Sequence, residues 1–184
     1  MKKLKSIKGI PLSYIKSVIK IDPLSPSGLT WLPRKDKSWN TRYASKYVGN
    51  KNINKKGYIS WVSEISYKSK PYAVICSRVI FLLHNKYLTA GKFIDHADGN
   101  SLNNNPYNLR ESTFGQNSQN SRLQKRNTSG YKGVYWHKRS CKWAVRIHLN
   151  GKSYYFGLYV NKEDAIKVAI KARKKLHGDF GRNK

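Results

Sequence analysis

IDHADGNSLNNNPYNLR, residues 94–110, sets an Asp-His pair just past an apolar run and follows it with a loop rich in asparagine. Acids are scarce in this chain, with 9 Asp and Glu against 37 Lys and Arg, yet Asp95 and Asp98 share this one loop. Phe93-Ile94 reads as a strand that delivers Asp95 and His96, and Asp98-Gly99-Asn100 is turn chemistry. Asn108-Leu109-Arg110 then resumes extended structure. The following FGQNSQNSRLQKR lacks proline and suits a helix from about Thr113, which puts Asn117 and Asn120 on one helical face. The unit is strand, loop, strand, helix. Asn100, Asn103, Asn104 and Asn105 are good turn formers and are read as structural.

The excess of cations gives a formal charge of +28 on 184 residues, a field that recruits polyanions. Between Ser112 and Lys162 no acid occurs, while Arg122, Lys125, Arg126, Lys132, Lys138, Arg139, Lys142, Arg146 and Lys152 all fall there. That half is expected to face phosphates. Charge does not distinguish DNA from RNA, so a basic RNA binder stays open on composition alone. Against it, no ribonucleoprotein aromatic motif is present. Cys76 and Cys141 are far apart and neither belongs to a CxxC pair, which leaves a zinc ribbon or disulfide framework without support. Both are expected to be buried or incidental thiols in a reducing cytosol. Lys16 and Lys20 interrupt the apolar N-terminal stretch, so a secretion signal is not expected, and nothing is long enough to span a membrane.

Upstream, Leu12, Ile15, Val18 and Ile19 recur at helical spacing after Pro11 until Asp22-Pro23 ends the pattern. LTWL, GYISWVSEI and KPYAVICSRVIFLL are rich in β-branched and aromatic residues and read as strands of a small antiparallel sheet. The last reads as strand or, from about Arg78, as helix. His84 is read as structural, and His177, beside Gly178, as a helix C-terminal residue favoured by the dipole.

DHADGN…NNNPYNLR…QNSQN resembles the core of the HNH nucleases of the phage and intron-encoded homing endonuclease type. Asp95-His96 is followed by Asn108 twelve residues after the histidine and by Asn117 nine later. The resemblance implies a divalent cation, Mg²⁺ or Mn²⁺, held by Asp95 and Asn117. It makes His96 the general base and Asn108 its partner in the catalytic pair, pinning the loop and keeping His96 in register. Asp98 shapes the turn. Many relatives have His-Arg where this chain has Ser77-Arg78, so any role of that upstream histidine is absent here.

In the C-terminal third, Trp143, Val145, Ile147 and Leu149 alternate with Ala144, Arg146 and His148, giving one apolar sheet face and one polar, basic face. Asn150-Gly151 is a tight-hairpin signal. Asn161 suits an N-cap, with Glu163 and Asp164 in the first turn and Ala165, Ala169, Ala172 and Leu176 as an apolar stripe. From Asn127 to about Phe180 the sequence is similar to AP2 domains. That resemblance implies a sheet face lying in the DNA major groove and carrying Lys132, Tyr135, His137, Arg146, His148 and Tyr155, with Lys152 as a phosphate contact.

The expected fold class is α+β. An N-terminal helix and β-rich lead-in (1–92) precedes a ββα-metal HNH core (93–124), a basic linker (125–130) and an AP2-like domain of three strands on one helix (131–184). The expected function is metal-dependent, site-specific DNA endonuclease action that nicks one strand. A non-catalytic DNA-binding regulator is the alternative. The expected partner is double-stranded DNA, with no membrane and no small-molecule substrate. The chain is expected to act as a monomer or weak dimer in the cytoplasm of a bacterial host, encoded by a phage.

Overall fold

A computed structural model describes residues 1–55 and 57–183. The chain divides into two compact units, Met1–Glu111 and Ser112–Lys184. The division falls inside the segment expected to form one nuclease core.

The first unit opens with three two-residue strands, β1 (Lys3–Leu4), β2 (Ser6–Ile7) and β3 (Ile10–Pro11). Then come α1 (Leu12–Val18), β4 (Ile19–Ile21), β5 (Leu29–Trp31), α2 (Lys37–Tyr43), β6 (Asn50–Ile53), β7 (Ile59–Tyr67) and β8 (Lys70–Ile75). They lead into α3 (Cys76–Asn85), β9 (Leu88–Thr89), β10 (Phe93–His96) and β11 (Leu109–Ser112). Strands β6-β7-β8 form an antiparallel sheet, β1-β9, β2-β3 and β4-β5 form antiparallel two-stranded ribbons, and β10 pairs with β11.

Helix α1 begins after Pro11, whose fixed φ suits a helix start, and buries Ile15 and Val18. Its expected last member, Ile19, belongs instead to β4 and pairs with Trp31. The Ile-Lys-Ile alternation wins there, because the hairpin with β5 is closed by Asp22, which accepts from the Leu24 amide at 3.1 Å and from the Thr30 hydroxyl at 2.7 Å. The ambiguous run 71–83 splits at Ile75/Cys76 into strand and helix. Helix α3 is buried on nearly every side, through Cys76, Val79, Ile80, Phe81, Leu82 and Leu83. It is the centre of a core that extends from Ile7 to Leu109. This all-round burial explains why periodicity alone did not identify it. Burial also pushes the Cys76 thiol up to about 12, leaving it inert. Helix α2 had no apolar stripe to announce it. It is capped by Asp36, which accepts from the Trp39 amide at 3.0 Å.

The second unit contains α4 (Phe114–Gln119), β12 (Val134–His137), β13 (Lys142–Leu149), β14 (Lys152–Tyr159) and α5 (Lys162–His177). The three strands form one antiparallel sheet in the order β12-β13-β14. Asn150 and Gly151 have φ of 50° and 77° and close the β13-β14 hairpin between Leu149 and Lys152. Helix α5 covers the face of Val134 and Val145 with Ala165 and Ala169, small residues that let helix and sheet approach closely.

Two details depart from the alternation read in the sequence. Ala144 lies on the face expected to be polar, yet it is fully buried between its larger cross-strand partners Tyr135 and Leu158. A bulge between Val145 and Arg146 shifts the register, so that Val145 pairs with Gly157 and Arg146 with Tyr155. His177 is not a solvated helix end. It is buried, and desolvation lowers its pKa, helped by the charges of Arg173 and Lys132 and opposed by its bond to the His148 carbonyl. That burial outweighs the dipole effect expected at a helix C-terminus.

Candidate active site

Along β10, Asp95 points inward and is 5% exposed, while Phe93 is exposed and His96 is half-buried. A carboxylate at that depth needs a charged or hydrogen-bonding partner. Arg110, on the adjoining strand β11, donates from Nε to Asp95 Oδ2 at 3.0 Å. The pairing of β10 with β11 brings the two together across 15 residues of sequence, a contact that no local spacing signals.

His96 Nε2 lies 3.0 Å from Asn104 Oδ1. The Asn104 amide is oriented by its other end, because Nδ2 donates to the Ser27 carbonyl at 2.8 Å, and a flip would set oxygen against oxygen. The amide oxygen facing the imidazole can only accept, so Nε2 carries the ring proton. In the neutral ring Nδ1 then holds the lone pair. Asn104 is itself buried, unlike its neighbours Asn103 and Asn105. In the sequence it is one turn former among several. Only its connection to Ser27, far upstream, distinguishes it, and no local spacing reveals that contact.

Asn108 ties the loop together. Its Oδ1 accepts from the Asp98 amide at 3.0 Å, and its Nδ2 donates to Asp98 Oδ1 at 3.0 Å and to the Asn103 carbonyl at 2.8 Å. Asp98 also accepts from the Asn100 amide at 2.8 Å and from Asn103 Nδ2 at 2.8 Å. Desolvation raises the pKa of this carboxyl, but the bonds from Asn100, Asn103 and Asn108 and the nearby His96 outweigh it and hold the pKa below the usual range. His84 sets its ring edge-on to Tyr107 at 5.3 Å, in keeping with a structural residue.

Asn117 is exposed on α4, and Asn120 caps the end of that helix and is buried. Helix α4 starts with a reciprocal cap in which Thr113 Oγ1 accepts from the Gln116 amide at 3.2 Å and Gln116 Oε1 accepts from the Thr113 amide at 2.8 Å. Asp95, His96 and Asn108 thus sit together in the first unit, while Asn117 belongs to the second. Among the described residues no three of His, Cys, Asp and Glu gather as a metal cluster. No described helix is long and apolar enough to cross a membrane.

In the second unit the strand register sets Tyr135, His137, Arg146, His148 and Tyr155 on one sheet face. Arg146, His148 and Tyr155 are exposed there, and the Arg146 guanidinium lies 5.9 Å from the Tyr135 ring. His137 Nδ1 is 3.1 Å from the Ser140 hydroxyl. Lys152 is exposed but lies opposite Leu149, on the other face at the hairpin end. Lys132 precedes the sheet, and its ammonium donates to the carbonyls of Gln119, at 3.2 Å, and Ser121. Desolvation, reinforced by Arg173 and Arg182, lowers the Lys132 pKa to about 8.

Comparison with known proteins gives this geometry a family. The HNH endonuclease family matches residues 75–119, which take in α3, the β10-β11 hairpin and α4. The chain is 37% identical over 101 residues to Protein 3.8 of Escherichia phage T7, a match that covers 53% of this chain and 80% of that protein. No solved structure matches the chain significantly. By these relationships the chain carries an HNH endonuclease domain at residues 75–119 and belongs to the family of the phage T7 Protein 3.8.

Proposed function

We propose that this protein is a metal-dependent endonuclease that hydrolyses phosphodiester bonds in duplex DNA, cutting one strand at its single HNH site. The observation that carries the reading is the fixed orientation of His96, whose Nε2–H is held by Asn104 while Asn104 is held by Ser27. That arrangement makes Nδ1 the basic nitrogen of the neutral ring, the atom through which an imidazole acts as a general base. His96 removes the proton from the water that attacks phosphorus. Asn104 and Asn108 act as positioning residues, the first through the ring and the second through the loop.

Asp95 and Asn117 would hold the cation. A carboxylate and an amide oxygen are hard donors that suit Mg²⁺ or Mn²⁺ rather than a soft metal, and a site with few protein ligands leaves places for water and phosphate. When bound, the cation stabilises charge on the phosphate and on the departing 3′ oxygen. Arg110 orients the Asp95 carboxylate.

Recognition falls to the second unit, in the manner of an AP2 domain. Arg146, His148 and Tyr155 read the groove with Tyr135 and His137 beside them, and Lys152 contacts phosphate. What supports this assignment is the shared exposed face in a segment without acids. Lys132 would reach DNA only by releasing its carbonyl partners.

The test is supercoiled plasmid incubated with the full chain and Mg²⁺, with EDTA, Asp95→Ala and Asn117→Ala as comparisons and duplex affinity measured in parallel. Nicked circles should accumulate with Mg²⁺ alone. Both variants should keep most of their DNA affinity, since much of it comes from the basic surface. Cleavage that persists in EDTA would remove the metal from the account.

A further inference from the structure

The second unit contains a cleft of about 750 Å³ between the 118–128 segment, the start of the sheet and the end of α5. Its lining includes Arg122, Arg126, Lys132, Arg146, Arg173 and His177 and no acidic residue. Arg122, Arg126 and Arg146 are exposed, whereas Arg173 is only 6% exposed.

Arg173 is the unusual member. Among the described residues it makes no ion pair, its Nε is buried without a hydrogen-bond partner, and its Nη1 meets only His177 Nδ1, at 3.2 Å. His177 Nε2 donates to the His148 carbonyl at 2.9 Å, so Nδ1 accepts and the imidazole is neutral. It gives the guanidinium a hydrogen bond but no countercharge. Gly133 keeps the approach narrow. It sits at φ +80°, and a Cβ there would come within 2.8 Å of the Arg146 carbonyl and 3.5 Å of Arg173 Nη2. Burying a guanidinium without an anion is costly. Here Lys132 shares the cleft wall as a further cation whose pKa is pushed down, so the local field is positive and uncompensated.

We propose that this cleft is a phosphate site that takes a backbone phosphate of bound DNA, with Arg122 and Arg126 closing on it from the rim and Arg173 supplying charge from the floor. The arrangement suits a phosphodiester because planar guanidinium groups pair with phosphate oxygens bidentately. The DNA source rests on the DNA-binding reading of the second unit, whereas the phosphate chemistry does not. Such a site would hold the strand beside the sheet face and fix the register in which that face meets the bases.

Two measurements on the full chain test it, and neither reads cleavage. The first is thermal melting in sodium phosphate against sodium chloride at equal ionic strength, for wild type and for the Arg122→Gln/Arg126→Gln variant. Phosphate also stabilises folded proteins by exclusion, so the signal is the part of the shift that the double variant loses. Wild type should melt several degrees higher in phosphate, and the variant should lose most of that gain while melting as wild type does in chloride. The second measurement is duplex affinity across salt concentrations. The slope of log affinity against log salt should fall by about one to two in the double variant.

Arg173→Gln should abolish the phosphate shift if it folds, and if it does not, the exposed pair still decides. A double variant that keeps both the phosphate gain and the slope overturns the proposal. Loss of the phosphate gain with an unchanged slope would overturn the DNA source and assign the cleft to a free phosphate group. Failure of plasmid nicking would leave these outcomes untouched, so the two readings fail separately.

Discussion

The loop 97–108 and the cleft of the second unit are both dense in polar groups, but they settle their electrostatics in opposite ways. In the loop, Asp98, Asn100, Asn103 and Asn108 satisfy one another, and on the strands that flank it Asp95 has Arg110 while His96 has the loop's Asn104. In the cleft, Arg173 is buried beside Lys132 and the neutral His177 with no acid in the lining. A network whose bonds are internally closed holds atoms in place, which is what proton transfer requires. A cluster of uncompensated cations stores an electrostatic cost that a polyanion relieves, which is what binding requires. Chemistry and affinity are therefore expected to respond to different substitutions.

The largest effect should come from the core of the second unit. Trp143 packs against the Val134 and Val145 cluster, and its ring lies 5.2 Å from that of Trp136. Trp143→Ala should cost that unit about 3 to 5 kcal/mol. Calorimetry should find its transition lowered while the first unit's transition stays, and DNA affinity should fall with it. Equal loss in both transitions would break the contrast between the units.

A smaller effect is expected in the loop. Asn104→Ala removes the partner of His96 Nε2 and of the Ser27 carbonyl together, at a cost of about 1 to 3 kcal/mol for buried groups left unpaired. Melting should report that loss, and the cleavage rate at saturating DNA should fall as well, because the ring is no longer held in one tautomer. Duplex affinity should hardly change.

On the sheet, Arg146→Ala should cost about 1 to 3 kcal/mol for the preferred site if the guanidinium reads a base, whereas Lys152→Ala should weaken every sequence alike. Titrating specific and scrambled duplexes at two salt concentrations separates the cases. Identical behaviour of the two variants would remove the distinction between the sheet face and the hairpin end.

The smallest expected effect is on pH dependence. The His177 pKa is lowered in the folded chain, so the unfolded chain binds that proton more readily. The stability that depends on the neutral ring is fully present above about pH 6.5 and is lost as pH falls from there through the folded value. Lys132 has the same sign at the alkaline end, since its folded value is about 8 against 10.5 unfolded, so stability should rise with pH across that window. His177→Gln should flatten the acidic part of the melting profile.

Much of the site was legible in the sequence because it is local. The strand-loop-strand-helix reading depends on turn residues and on a proline-free stretch; β10, β11 and the start of α4 lie where those signals put them, but α4 ends at Gln119 and does not run on through the rest of that stretch. Asn150-Gly151 likewise defines its hairpin without outside help. Long-range contacts were not legible. Nothing near Asn104 reveals that its amide meets Ser27, and nothing near His177 reveals that it is buried under Arg173 and the His148 carbonyl. Helix α3 was ambiguous because burial on all sides erases the periodicity that distinguishes helix from strand. Ile19 left its helical pattern because a strand partner 12 residues away offered a better ladder.

The most direct test of the account is the single-turnover nicking rate of His96→Ala at a saturating concentration of the full chain with Mg²⁺, alongside its duplex affinity. The account predicts a fall of about 10²- to 10⁴-fold in rate, the usual worth of a general base, with affinity within about twofold of wild type. A variant that nicks as fast as wild type would contradict the assignment of His96 as the base.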